Sequence, residues 1–206
     1  MIKNMIFDVG NVLVKFRPKE VMEELGFAPG RVQELLKATV QGPLWRELDR
    51  GVIPEEEVIA QMRSRVAEDA REDFDRFITE GKELLVLTYS YAVDWLRECK
   101  EQGYHVYLLS NYPVSYFELH SSVFSFLPYI DGKIVSGYVK MLKPDPGIYH
   151  CLLDTYHLRA EECLFFDDLP GNVEAAKSVG MHGICFTGYE EARRLAAEVA
   201  EAEIPL

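Results

Sequence analysis

Two segments of this chain run an apolar strand straight into carboxylates. Near the N-terminus stands Ile6-Phe7-Asp8-Val9-Gly10-Asn11-Val12-Leu13: an apolar run, an acid, then a Gly-Asn turn. Toward the other end stands Leu164-Phe165-Phe166-Asp167-Asp168-Leu169-Pro170-Gly171-Asn172, an apolar run closed by paired acids. In a parallel α/β sheet, ligands bind at the C-terminal ends of the strands. Acids gathered there are costly to keep charged unless a cation or hydrogen bonds neutralise them. Mg²⁺ meets that demand, because it takes oxygen ligands, often one or two carboxylates together with a phosphate.

Two further segments complete the set. Tyr104-His105-Val106-Tyr107-Leu108-Leu109-Ser110-Asn111 is an apolar strand ending in a hydroxyl and an amide. Lys143-Pro144-Asp145-Pro146 places a lysine just before a proline-opened helix. In chain order this gives acid, hydroxyl, lysine and paired acids. Each motif alone is weak, since a strand ending in Asp is commonplace. All four in this order, each after the right element, resemble the haloacid dehalogenase superfamily. Within it the chain is similar to the small-capped phosphatases, including the glucose-1-phosphate phosphatase-like branch, where the first motif often reads Asp-x-Gly-Asn. The resemblance runs from Met5 to about Phe186.

The resemblance assigns roles residue by residue. Asp8 is the expected nucleophile: its carboxylate attacks phosphorus to form an aspartyl-phosphate, which splits hydrolysis into two easier steps. Its second oxygen is expected on Mg²⁺. Ser110 resembles the phosphate-binding hydroxyl of the family, with the Asn111 backbone as a further donor. Lys143 resembles the lysine that neutralises Asp8 and the phosphate together, a task suited to a compact ammonium. Lys140 competes for this role, but Lys143 has the family's Pro-Asp-Pro behind it. Asp168 matches the direct Mg²⁺ ligand, and Asp167 is expected near the metal or orienting a metal-bound water. Asn172 is expected behind them as a supporting partner. Asn11 is a candidate for a hydrogen bond to the phosphate.

Gly10 departs from the family pattern. Most of the resembling phosphatases carry a second Asp there, as general acid for the leaving alcohol and then general base for water. Glycine offers only its backbone carbonyl, which suits Mg²⁺. General acid–base catalysis is worth about 10²–10⁴-fold. The expectation is therefore a preference for sugar 1-phosphates over 6-phosphates, unless some other part of the chain supplies the acid.

The elements that must position these residues follow from periodicity and turn signals. Strands are predicted at Met5–Phe7, His105–Ser110, Ile134–Val135, Cys163–Phe166 and Gly183–Phe186. Helices are predicted at Tyr91–Gln102, Pro146–Tyr156, Asn172–Val179 and Glu190–Glu201. Gly103 and Gly180 stand where helices end. Gly10-Asn11 and Gly132-Lys133 read as loops at sheet edges. Short apolar strands alternating with helices fit a parallel sheet covered on both faces, an α/β fold of Rossmann-like type.

Between the first two motifs the composition changes. Val21, Met22 and Leu25 form one helical stripe, and Val32, Leu35 and Leu36 another. Val58, Ile59, Met62 and Val66 form a third, and Phe74, Phe77 and Ile78 a fourth. Pro18, Pro29, Pro43 and Pro54 stand where helices begin. This segment reads as an inserted α-helical bundle, which the resemblance makes a cap over the site. The division is residues 17–87 for the cap, with 1–16 and 88–206 as the core. An ordinary helical part of the core has the same periodicity. Trp45, between two of these helices, is a candidate to stack on a sugar ring or else a core residue; Tyr112 is a second such candidate.

The bulk properties bound the rest. The chain has 206 residues, 48% hydrophobic and 12% aromatic, which are globular values. No apolar stretch reaches the ~18 residues of a membrane span. The first strand begins almost at once, which leaves no room for a signal peptide. The four cysteines lack metal-type spacing and read as reduced thiols of a cytoplasmic protein. The net charge of −12 argues against nucleic acid, whose backbone selects basic patches, and no membrane partner is expected. It leaves a small phosphorylated metabolite as partner, because Mg²⁺ and Lys143 reverse the local sign.

Three functions compete on this pattern. The first is a Mg²⁺-dependent phosphatase for a small metabolite such as a sugar phosphate. The second is a metal-free dehalogenase on the same fold, whose relatives typically carry an aromatic residue in place of Gly10. The third is a non-catalytic phospho-ligand-binding module, motivated by Gly10 itself. The acid pair and the retained Asp8 and Lys143 favour the first.

Overall fold

The computed structural model describes residues 1–202. The last four residues of the predicted core segment lie outside the described residues. In chain order, β1 (Asn4–Phe7) and β2 (Val14–Phe16) lead into five helices. These are α1 (Pro18–Glu24), α2 (Pro29–Ala38), α3 (Pro43–Arg50), α4 (Glu55–Ser64) and α5 (Arg71–Thr79). Then come β3 (Val86–Thr88), α6 (Ala92–Glu101), β4 (His105–Ser110), α7 (Val114–Ser121), β5 (Gly132–Val135) and α8 (Ser136–Val139). The chain continues through α9 (Pro146–Thr155), β6 (Cys163–Asp167), α10 (Pro170–Ser178), β7 (His182–Cys185) and α11 (Tyr189–Ala202).

The central sheet is parallel, with strand order β5-β4-β1-β6-β7. β1 is buried along its length and lies in the middle. The chain builds outward on one side of β1, then crosses to build the other side. That reversal opens a crevice at the C-terminal ends of the strands beside β1. Side chains alternate between the two faces. Phe7, Val106, Leu108, Leu164 and Phe166 share one apolar cluster with Trp95 of α6 and Ala192 of α11. Ile6, Tyr107, Leu109 and Phe165 share the other with Ile148 and Leu152 of α9 and Ala176 of α10. Both faces are thus covered, as the apolar strands predict.

The register brings the motifs level. Phe7 pairs with Leu108 on one side and Phe166 on the other, so Asp8, Ser110 and Asp167 emerge at one edge. The Asp8 amide donates to the Phe166 carbonyl at 2.9 Å, extending the ladder to the acid itself.

The helical segment leaves and returns through β2 and β3, an antiparallel ribbon that pairs Val14 with Thr88 and Phe16 with Val86. The proline signals fall as expected: Pro18, Pro29 and Pro43 open α1, α2 and α3, and Pro54 caps α4. Val21, Met22, Val32, Leu35, Leu36, Val58, Met62, Val66, Phe74 and Phe77 are buried, each on its predicted stripe. They join the same apolar cluster as one face of the sheet. One turn is corrected: Gly132-Lys133 opens β5 rather than forming a loop. Glycine is needed there because a Cβ would meet the Tyr156 ring at 2.3 Å. Gly103 and Gly180, at φ 87° and 91°, end their helices as expected.

Candidate active site

The floor of the site is an ion network on the strand ends. Lys143 is buried, with Nζ 3.0 Å from Asp8 Oδ1 and 2.6 Å from Asp167 Oδ2. Burial alone would lower the Lys143 pKa, but the two flanking carboxylates more than offset it and keep the ammonium charged. Asp8 stands the other way. Burial pushes its carboxyl up to about 7, with Lys143 opposing and Asp167 adding to the rise. Such an acid gains most from a further cation beside it. Ser110 is buried beside Asp8, where its hydroxyl favours the charged carboxylate.

The adjacent acids have different surroundings. Asp167 is fully buried as the last residue of β6, and its oxygens are taken up. Oδ1 accepts from the Leu169 amide at 2.8 Å and the Asn172 amide at 2.9 Å; Oδ2 accepts from Lys143 and again from Asn172 at 3.0 Å. Asn172 is itself seated by its carbonyl, which accepts from Tyr149 Oη at 2.8 Å. Asp168 is half-buried and accepts from Asn11 Nδ2 at 3.1 Å. Burial raises its pKa, against that hydrogen bond.

Asn11 and Asn111 each hold the frame. Asn11 takes a left-handed φ of 56°, and its Oδ1 accepts from the Phe16 amide at 3.2 Å while its amide holds Asp168. Asn111 brackets the Lys143 backbone, accepting from its N–H at 2.8 Å and donating to its carbonyl at 3.0 Å. Lys140 is directed elsewhere: its Nζ donates to the carbonyls of Gly51 and Gly137, at 2.6 Å each.

Oxygens of Asp8, Asp167 and Asp168 lie within 4.8 Å of one another. With Asp167 committed to Lys143 and Asn172, Asp8 and Asp168 remain as carboxylates open to a cation, and Gly10 lines the same cavity. A pair of carboxylates is chemistry for a hard divalent cation such as Mg²⁺.

Above the floor lies a cavity of about 510 Å³ that includes Asp8, Gly10, Asn11, Lys143 and Asp168 in its lining. The rest of its lining mixes apolar and aromatic side chains, Val14, Phe16, Val86, Tyr116 and Trp45 from α3, with the polar Arg46, Asp49 and His120. Trp45 packs into its surroundings and also borders the cavity. Its ring lies against Phe16 and Tyr116, at 6.0 and 5.8 Å between centroids. Tyr112 lines the cavity too and is fixed by a 2.6 Å hydrogen bond between its hydroxyl and His120 Nδ1.

Sequence reasoning missed Asp49. It follows Trp45 by four residues, one turn along the same face of α3, and lines the same cavity. That spacing was the available signal. Burial raises its carboxyl to about 8, with Asp8 adding to the rise and Lys143 and Arg46 opposing. Its place in the last turn of α3, at the negative end of the helix dipole, acts in the same direction. The backbone of this turn is tied to the sheet. Ser136 Oγ donates to the Asp49 carbonyl at 2.6 Å and accepts from the Tyr112 amide at 2.8 Å.

Acids and a buried lysine at the C-terminal ends of a parallel sheet mark a Rossmann-like α/β centre, and the comparisons with known proteins give its family. A family model described as haloacid dehalogenase-like hydrolase matches residues 2–180. The chain belongs to that family. Among curated relatives it is 28% identical to a sesquiterpene phosphatase of Aspergillus oryzae, over 90% of each chain. It is 28% identical to a D-ribitol-5-phosphate phosphatase of Bacteroides thetaiotaomicron, covering 87% of this chain and 89% of that one. It is 30% identical to flavin mononucleotide hydrolase 1 of Arabidopsis thaliana, over 78% of its own length but only 62% of the relative's. Among solved structures, a magnesium complex of a HAD family enzyme from Bacteroides thetaiotaomicron aligns at a TM-score of 0.73 with 22% identity, covering 94% of this chain and 98% of that one.

Proposed function

We propose that this chain is a Mg²⁺-dependent phosphatase that hydrolyses a small phosphorylated metabolite through an aspartyl-phosphate on Asp8. The observation that carries the reading is the buried Lys143 ammonium, held between Asp8 and Asp167 at the base of the cavity. It offsets the charge of a carboxylate that must approach an anionic phosphate. Asp8 supplies the attacking oxygen, Ser110 and the Asn111 backbone receive the phosphoryl oxygens, and Asp167 and Asn172 hold the lysine in place. Asp8, Asp168 and the Gly10 carbonyl would hold Mg²⁺, which supplies positive charge to neutralise the substrate phosphate. The paired acids and a glycine in place of an aromatic residue favour this over a metal-free dehalogenase. The phosphatases among the relatives support the same reaction class. Residues 17–87 act in this reading as a cap, and 1–16 with 88–206 as the core.

The cavity wall refines the substrate. The lining also carries Arg46, Asp49 and His120, but a sugar hydroxyl set against Val14, Phe16, Trp45 or Val86 would give up water hydrogen bonds without replacement. A monophosphate with an apolar or aromatic body suits this wall better than a bare sugar phosphate. The test is a panel with and without chelator. Flavin mononucleotide and a prenyl monophosphate should exceed glucose 1-phosphate in kcat/KM, and chelation should abolish turnover. Chelator-resistant turnover overturns the metal; the reverse substrate order overturns the apolar body.

A further inference from the structure

The floor of the site carries a nucleophile and a counter-charge, and its one other open acid, Asp168, is taken in this reading by the metal, which leaves no group there to protonate a leaving oxygen. Gly10 has no side chain, Asn11 is an amide, and the Lys143 ammonium is held between two carboxylates. We propose that Asp49, delivered from α3 in the wall of the cavity, is the general acid for the leaving alcohol and then the general base for water. This rests on the phosphatase reading and deepens it.

Three observations converge on this carboxyl. Asp49 lines the same cavity as Asp8 and reaches it from a different element, so a phosphate ester bound there has the two acids in its lining. Its side chain has no hydrogen bond or ion pair among the described residues, whereas the acid at the base, Asp167, is fully engaged. Its backbone is fixed: the Asp49 carbonyl accepts from Ser136 Oγ at 2.6 Å, and the Gly51 carbonyl accepts from Lys140 Nζ at 2.6 Å. A half-buried carboxyl that lines the cavity from a fixed turn, with no side-chain hydrogen bond or ion pair among the described residues, has no structural task to explain it. Burial keeps it protonated near neutrality, the state a general acid requires.

The steps balance. An Asp8 carboxylate oxygen bonds to phosphorus as the phosphorus–oxygen bond to the leaving group breaks. The leaving oxygen takes the Asp49 proton and departs as the alcohol, leaving Asp49 as carboxylate. Water then attacks the aspartyl-phosphate and gives its proton to Asp49. The Asp8–phosphorus bond breaks, inorganic phosphate forms, and both acids return to their starting states.

The test compares two esters on the full-length wild type and Asp49→Asn, with Mg²⁺ present. An aryl ester, p-nitrophenyl phosphate, releases a stable phenolate and needs little protonation. An alkyl ester, 2-phenylethyl phosphate, releases an alkoxide and needs the proton. The variant should lose about 10²–10⁴-fold in kcat/KM on the alkyl ester and less than about tenfold on the aryl ester. With the aryl ester it should also accumulate acid-stable phosphoenzyme, because water has lost its base. Equal losses on both esters, or none on the alkyl ester, overturn the assignment. Asp49→Ser gives the same comparison should the Asn variant not fold. A wild type that turns over neither ester and forms no phosphoenzyme defeats the phosphatase reading itself, a result distinct from either outcome in the variant.

Discussion

The floor and the wall of the cavity are built on opposite principles. On the floor every charge has a partner. Asp167 receives hydrogen bonds from Lys143, Asn172 and the Leu169 amide, and Lys143 is shared with Asp8. In the wall, Asp49 lines the cavity with no side-chain hydrogen bond or ion pair among the described residues, beside Trp45 and Arg46. A bound phosphate brings the same charge whatever molecule carries it, so its counter-charges can be wired permanently. The rest of the substrate differs in shape and leaving group, and there a largely apolar wall with one uncommitted carboxyl is the economical arrangement.

The comparison breaks most sharply at Asp8. Asp8→Asn is nearly isosteric and should leave the fold intact while turnover falls to the detection limit. Folded variant with more than trace phosphatase activity would end the nucleophile assignment. Lys143→Met comes next. It leaves Asp8 and Asp167 buried without their cation, and breaking a buried pair in this way costs about 3–5 kcal/mol. Chemical denaturation should show that loss, with the denaturant m-value unchanged. Asp168→Ala should act on the metal before the fold: the Mg²⁺ concentration for half-maximal activity should rise about tenfold or more, the range found when groups supporting a metal site are removed. Unchanged Mg²⁺ dependence would move the ligand role elsewhere.

The wall should give smaller effects. Trp45→Ala removes an aromatic contact worth about 0.5–1.5 kcal/mol, so KM for an aromatic substrate should rise about two- to tenfold with kcat nearly constant. An equal change for inorganic phosphate as inhibitor would place Trp45 against the phosphate instead. The last effect is on stability against pH. The folded pKa of Asp49 is raised from 3.8 to about 8, so the native state holds the proton over that range more tightly than the unfolded chain. Its contribution is therefore complete below pH 4 and is lost as pH rises to about 8. Asp49→Asn has no proton to lose. Its Tm should match wild type near pH 4 and exceed it near pH 9; a constant difference across pH would contradict the raised value.

The floor was legible in the sequence because its residues sit at the ends of strands whose apolar runs announce them. Phe7-Asp8, Leu109-Ser110 and Phe166-Asp167 each mark a junction, and a parallel register brings such junctions level without further information. Which of the paired acids stays free was assigned through the family resemblance alone, not from the residues themselves. Adjacent residues share every local signal, and the difference comes from Lys143 and Asn172 arriving from elsewhere. The wall was mostly hidden for the same reason. Asp49 is separated from Asp8 by the whole start of the helical segment and reaches the site because Ser136 and Lys140 seat its turn. The four-residue spacing from Trp45 puts Asp49 on one face of α3, but it does not report the Ser136 and Lys140 contacts that seat the turn. The ribbon of β2 and β3 was missed because three residues per strand carry too little alternation, yet Val14, Phe16 and Val86 from it line the cavity. α7 was missed because its apolar residues do not gather on one face.

The seating of α3 has a consequence for how this enzyme could change. Ser136 Oγ and Lys140 Nζ grip the carbonyls of residues 49 and 51, groups that every amino acid carries. Exchanging the side chain at position 45 or 46 therefore leaves the clasp intact. The turn works like a tool holder, in which the bit can be replaced without realigning the machine. Libraries restricted to those two positions should retune which molecules are accepted while the proton-handling geometry stays registered to the strands below.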